Sequence, residues 1–171
     1  AWLATAAPDI VALQETKLED AKFPEMPLLE LGYRSAFSGQ KTYNGVALLS
    51  RQPIADVQVG IPGFEDEQRR AIAATINGVR VVNLYVVNGK TVGCDKYDYK
   101  LRWIDALHGW LSDEGKRYPQ LVVMGDFNIP SVDSPLYKAV VKRGLTMPAS
   151  LAKIPGSNLG KDKRYDQILH N

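Results

Sequence analysis

The stretch Leu121-Val122-Val123-Met124-Gly125-Asp126-Phe127-Asn128 joins a short apolar run to a glycine, a carboxylate and a carboxamide. An apolar run bounded by a turn signal reads as a buried strand over 121–125. Strand side chains alternate between faces, so Asp126 and Asn128 are expected to leave one face together. There one can serve a water and the other a phosphate oxygen. The competing reading is an Asx-turn that closes the strand. Ile10-Val11-Ala12-Leu13 runs into Gln14-Glu15-Thr16-Lys17 in a similar manner. Two apolar strands that both end in acids point to a metal-assisted site at the rim of a sheet.

Outward from that core the chain alternates strand and helix signals. Residues 1–7 read as helix, stopped by Pro8, and 9–14 as a buried strand. Pro24 and Pro27 bracket the start of a short helix near 28–31 that Gly32 stops. Strands are expected over 33–37 and, more sharply, 45–50. Segments 71–76 and 79–85 flank Asn77-Gly78, the strongest short hairpin signal. Residues 95–113 form the best helix, with Leu101, Ile104, Leu107, Trp110 and Leu111 as its apolar stripe. Ser134-Pro135 caps a further helix over 134–142, and 165–169 reads as a last strand. Hairpins mixed with helices imply an α/β sandwich and not a pure βαβ winding.

At 171 residues, 45% hydrophobic and 23% charged, the chain suits one soluble domain, 1–171, with a sizeable core. No apolar run approaches the roughly 18 residues of a membrane span, and no signal peptide is visible. Cys94 is the single cysteine, which excludes an internal disulfide and a thiolate zinc site and suits a reducing, cytoplasmic setting. A net charge of +2 does not diagnose nucleic-acid binding, so that case rests on where the charges sit. The chain starts at Ala1 within a helical pattern and stops at Asn171 just after an apolar strand, so both ends read as cut.

Several polar residues stand where chemistry could use them. Glu15 suits a hard divalent cation, which takes oxygen ligands and keeps several waters; an exposed acid at a strand end is the bland alternative. Tyr85 could hydrogen-bond a phosphate while its ring packs below, or sit at the core edge with a satisfied hydroxyl. Tyr43-Asn44-Gly45 and Asn88-Gly89 are turn signals. Lys96, Lys100 and Arg102 mixed with Tyr97, Tyr99 and Trp103 could line a nucleic-acid backbone, against the plainer reading of one solvated basic helix face. Asp166 could orient a histidine, but His108 reads as structural and His170 lies off its face by strand parity.

With these residues in order, the chain resembles the exodeoxyribonuclease III family of AP endonucleases, in the endonuclease/exonuclease/phosphatase superfamily. The motifs are Leu13-Gln14-Glu15-Thr16-Lys17, Tyr43-Asn44-Gly45-Val46-Ala47-Leu48-Leu49-Ser50, Asn83-Leu84-Tyr85-Val86, Lys100-Leu101-Arg102-Trp103, Gly125-Asp126-Phe127-Asn128 and Tyr165-Asp166. The resemblance implies a deoxyribonuclease I-like α/β sandwich: two mixed sheets packed together, flanked by helices, incomplete at both ends. It implies Mg²⁺, with Mn²⁺ as a substitute, held by Glu15, and a phosphate contact from Tyr85. Asp126 would activate or position the attacking water, Asn128 would support phosphate and water, and Asp166 would orient the family's catalytic histidine. Tyr43, Asn44, Asn88, Lys100 and Arg102 would contact substrate: double-stranded DNA at abasic sites or 3′ ends, read through backbone and shape. A monomer is expected for the full-length form.

The departures matter as well. The family's opening Trp-Asn strand and closing Ser-Asp-His strand fall outside this chain, and Val87 replaces the proline usual after Tyr85-Val86. The match thins from Pro130 onward, and the interval from Asp126 to Asp166 is shorter than in the family. A phosphatase or phosphodiesterase on a small or lipid phosphate is the second reading, and a catalytically dead nucleic-acid-binding scaffold the third. Lost end strands would expose sheet edges, so marginal stability or edge association is expected.

Overall fold

A computed structural model describes residues 2–89, 91–128 and the backbone of 166–170. In chain order the elements are α1 (Trp2–Ala6), β1 (Ile10–Gln14), α2 (Glu25–Glu30), β2 (Arg34–Ser38), β3 (Val46–Ser50), β4 (Ile54–Val59), β5 (Ala71–Ile76), β6 (Val79–Tyr85), α3 (Asp95–Arg117), β7 (Leu121–Asp126) and β8 (Asp166–His170). The strands form a three-stranded sheet ordered β1-β3-β2 and a five-stranded sheet ordered β4-β5-β6-β7-β8. Among these described strands the small sheet is antiparallel. The large one is antiparallel except for β6 and β7, which run parallel. A parallel pair needs a crossover, and α3 supplies it.

Alternation along β5 and β6 explains the layers. Ile72, Ala74, Ile76 and Val81 turn toward the small sheet and meet Val46, Leu48 and Ala36 there. Ala71, Ala73, Val82 and Leu84 turn the other way, against Trp103, Leu107 and Trp110 of α3. The central strands are thus apolar on both faces, which is why 45–50 and 71–76 show no clean alternation. The hairpin at Asn77-Gly78 is present, with both residues at positive φ as a two-residue turn demands.

One strand adds to those expected, and two expectations need correction. The added strand, β4, is an edge strand whose residues are mostly exposed, interrupted by a bulge between Ala55 and Gln58. The helix runs on to Arg117, and its buried residues are Trp103, Leu107, Trp110 and Glu114; Leu101 is 49% exposed. Trp103 is therefore core and not a nucleic-acid platform. His108 is exposed. The helix expected over 134–142 lies outside the described residues.

No helix among the described residues is long and apolar enough to cross a membrane.

Candidate active site

The site forms where strands end. β6 and β7 run parallel, and their register pairs Tyr85 with Asp126. β8 runs antiparallel to β7, so Asp166 sits opposite Asp126 in the ladder. Three of the expected residues thus fall in adjacent rows at one end of the large sheet. Gly125 makes the approach possible: its φ is +146°, and a Cβ there would lie 1.9 Å from the Leu84 carbonyl oxygen. No side chain fits, so only glycine lets β7 lie against β6 at this point.

Glu15 arrives from the other sheet, and Asn83 holds it in place. Fully buried on β6, Asn83 accepts from Gln14 Nε2 at 2.6 Å and donates to the carbonyls of Leu13 and Ala47, each at 2.9 Å. One side chain therefore pins β1 and β3 to β6. Two residues beyond Leu13, Glu15 Oε1 accepts the Tyr85 hydroxyl at 2.8 Å, and Glu15 Oε2 lies 2.8 Å from Lys17 Nζ.

These contacts set the protonation states. The Lys17 ammonium, then the Tyr85 hydroxyl, holds the Glu15 carboxyl below its ordinary pKa against a smaller effect of burial. Burial first, then the bond to Glu15 and the negative charges of Glu15 and Asp126, pushes Tyr85 up to about 12, partly opposed by Arg70. At neutral pH the pair is a carboxylate accepting from a neutral phenol, so Tyr85 works as a hydrogen-bond donor.

The backbone around the site is strained. Of eight non-glycine residues at positive φ among the described residues, five lie here: Glu15, Lys17, Thr42, Asn44 and Asn128. Such clustering marks ligand and catalytic sites more than neutral loops. The turn after Glu15 is braced by Thr16 N–H donating to Gly45 O and Lys17 N–H donating to Asn44 O, at 3.3 and 2.9 Å. A Cβ on Gly45 would meet Thr16 Oγ1 at 2.1 Å, so the brace also requires glycine.

Strand β7 ends at Asp126, and Asn128 adopts φ +50°, so strand alternation does not carry to 128. The Asx-turn is present instead: Asn128 N–H donates to Asp126 Oδ1 at 2.8 Å. Asn128 Nδ2 donates to Val86 O at 2.8 Å. The two side chains are brought together by a turn and not by the pleat. Asn44 is 9% exposed with its Nδ2 on Gln40 Oε1, so its side chain braces the loop. Tyr43 is 68% exposed, and Asn88 and Arg102 are exposed. Lys100 is half-buried against Gly89, and burial lowers its pKa. The roles of Asn83 and Arg70 escaped the sequence reading. A polar residue inside an apolar strand, and a cation at the mouth of one, are the signals that could have found them.

The donor set suits a hard cation. Glu15 offers an ionised, partly exposed carboxylate at the rim. Among the described residues no three His, Cys, Asp or Glu side chains gather to enclose a metal. A cation held by Glu15 would complete its shell with water and substrate oxygens, as Mg²⁺ commonly does.

Residues 1–171 match the family described as the endonuclease/exonuclease/phosphatase family. Exodeoxyribonuclease III of Haemophilus influenzae is 33% identical over 132 residues, 74% of this chain and 49% of that protein. The chain spans about half the length of the curated relatives it matches. The 3′ phosphatase NExo from Neisseria, solved with a product DNA hairpin, is 37% identical with a TM-score of 0.87, over 99% of this chain and 79% of that one. An AP endonuclease from Archaeoglobus fulgidus is 32% identical with a TM-score of 0.85, over 99% and 78%. The sandwich is thus deoxyribonuclease I-like, and the chain belongs to the endonuclease/exonuclease/phosphatase family, in its divalent-metal-dependent exodeoxyribonuclease III and AP endonuclease branch.

Proposed function

We propose that this chain carries the hydrolytic site of a metal-dependent DNA phosphodiesterase of the exodeoxyribonuclease III and AP endonuclease type, acting in base excision repair. Its substrate is double-stranded DNA with abasic sites or 3′ ends, and its setting the cytoplasm. The full-length protein works as a monomer. The observation that carries this reading is the convergence of Glu15, Tyr85 and Asp126 from three strands of two sheets.

Glu15 holds the cation, Mg²⁺ by preference and Mn²⁺ as a substitute. When bound, it supplies positive charge for the phosphoryl oxygens. Tyr85, kept neutral, turns its single hydroxyl hydrogen from Glu15 Oε1 to a non-bridging phosphate oxygen when substrate binds, an interaction that strengthens as negative charge grows there. Asp126 orients the attacking water and draws its proton, while the Asn128 turn fixes that carboxylate by donating to its Oδ1. Asp166, opposite Asp126 in the ladder, orients the family's catalytic histidine. Tyr43, Asn88, Lys100 and Arg102 contact the DNA backbone, which positions the duplex without reading base sequence.

Incision of a duplex bearing one abasic-site analogue tests this, with Mg²⁺ or EDTA, on this chain and on Asp126→Asn. Incision beside the lesion, lost with EDTA and with the substitution, is the expected result. Cleavage that survives both removes the reading. Likeness to a Neisseria 3′ phosphatase supports a second reading, removal of phosphate from DNA 3′ ends. Release of inorganic phosphate without strand incision would favour it.

A further inference from the structure

An arm of polar residues ties helix α3 to the site. Tyr99 Oη on α3 donates to Asp66 Oδ2 at 2.6 Å, and Asp66 Oδ1 accepts Gln68 N–H at 2.9 Å. Gln68 Oε1 accepts Arg70 Nε at 2.7 Å. Arg70 then grips Tyr85 in three ways. Its Nη1 donates to Tyr85 O at 3.2 Å, its carbonyl accepts Tyr85 N–H at 2.7 Å, and its guanidinium stacks 4.6 Å from the ring centroid. Tyr85 in turn donates to Glu15.

We propose that Asp66, Gln68 and Arg70, anchored by Tyr99, act as positioning residues that hold the Tyr85 ring for its phosphate contact and, in the substrate-free site, hold the Glu15 carboxylate through it. The proposal rests on the function given above for Tyr85 and Glu15. The geometry favours positioning over a purely structural tie because the arm ends on a catalytic side chain from both sides. Arg70 fixes the Tyr85 backbone with hydrogen bonds and its ring with a cation–π contact, which leaves only the hydroxyl to move. A guanidinium is well suited to this double grip, because its planar fork can hydrogen-bond in plane and stack on its face at once. Tyr99 is half-buried with its hydroxyl taken up by Asp66, so its effect on chemistry passes through Gln68 and Arg70.

A thermodynamic cycle on the full chain tests the arm. Tyr99→Phe is expected to lower kcat on an abasic duplex by about three- to tenfold while KM stays within about twofold. The loss should vanish when Tyr85 is already phenylalanine. Equal losses in both backgrounds overturn the proposal, because a structural tie would act independently of Tyr85. Asp66→Asn can keep both contacts, with Tyr99 accepting, and is expected to retain most of the rate; Asp66→Ala is not. A second readout does not depend on cleavage: in tyrosine-labelled protein, Tyr99→Phe should shift and broaden the Tyr85 ring resonances, assigned with Tyr85→Phe. Unmoved resonances overturn the arm. If no variant, nor the unsubstituted chain, cuts DNA, it is the function that falls, and the ring resonances alone decide the positioning.

Discussion

Strand β6 carries a polar cluster at each end, and the two are built by opposite rules. At its start Arg80 is 3% exposed and pairs with Glu114, itself 3% exposed. Arg80 also donates to Asp56 O at 2.6 Å and stacks on Tyr118 at 4.8 Å. The buried charge is surrounded by partners, as burial demands. At its end Tyr85 meets Glu15, whose side chain is 43% exposed and whose ionic partner, Lys17, is itself open to water. Five of the eight left-handed non-glycine residues among the described residues lie around that second site, against Asp56 and Asn77 beside the first. The lesson is that a dense set of polar contacts marks structure when it is buried with its partners. It marks chemistry when it is open to water.

The largest effect expected on that contrast is at the open end. Asp126→Asn keeps an oxygen to accept Asn128 N–H, so the turn and the melting temperature should survive. Losing the carboxylate should cost about 10²–10⁴-fold in cleavage rate. A rate within a few fold of the unsubstituted chain would remove Asp126 from the chemistry. Next is the closed end. Glu114→Ala strands a buried guanidinium and should destabilise the fold by about 3–5 kcal/mol, read as a lower midpoint in urea. Replacing Arg80 and Glu114 together by Met and Leu should recover most of that loss. If the double replacement melts no higher than the single one, the pair is more than a satisfied burial.

Tyr85→Phe comes third. It removes a donor to the developing oxyanion and should cost about 10²-fold in kcat with little change in stability. Equal rates with tyrosine and phenylalanine would leave only its ring in use.

The two ends differ in how far sequence alone makes them legible. The site strands, the hairpin at Asn77-Gly78 and the residues Glu15, Tyr85 and Asp126 are legible, because each sits at the end of an apolar run where local pattern speaks. The Arg80–Glu114 pair is not. Its partners are 34 positions apart, and an arginine in a strand or a glutamate on a helix carries no sign of burial. Asn83 is half legible: a polar residue inside an apolar strand can be noticed, but that it ties β1 and β3 to β6 depends on two sheets meeting. Trp103 misleads because an aromatic–basic mixture looks alike whether it faces solvent or core. Sequence pattern identifies which face or end a residue occupies; it does not tell what the fold lays against it.

The smallest effect tests the electrostatics of the open end directly. The folded pKa of Glu15 lies below its ordinary 4.5, so its contacts add stability that is present above that pH. That stability is lost as the pH falls through the lowered folded value. Both partners of the Lys17 pair are exposed, at 54% and 43%, so water and salt screen it to no more than about 1 kcal/mol. Lys17→Ala should therefore leave the melting temperature nearly unchanged while moving the Glu15 titration upward, followed by carboxyl carbon chemical shift. It should stop short of 4.5, because Tyr85 still donates to Oε1. Adding Tyr85→Phe should remove most of the remaining depression. A Glu15 that titrates at its ordinary value in the unsubstituted chain would mean that neither donor holds it. The contrast between a buried end and an open, charge-tuned end would then lose its electrostatic half.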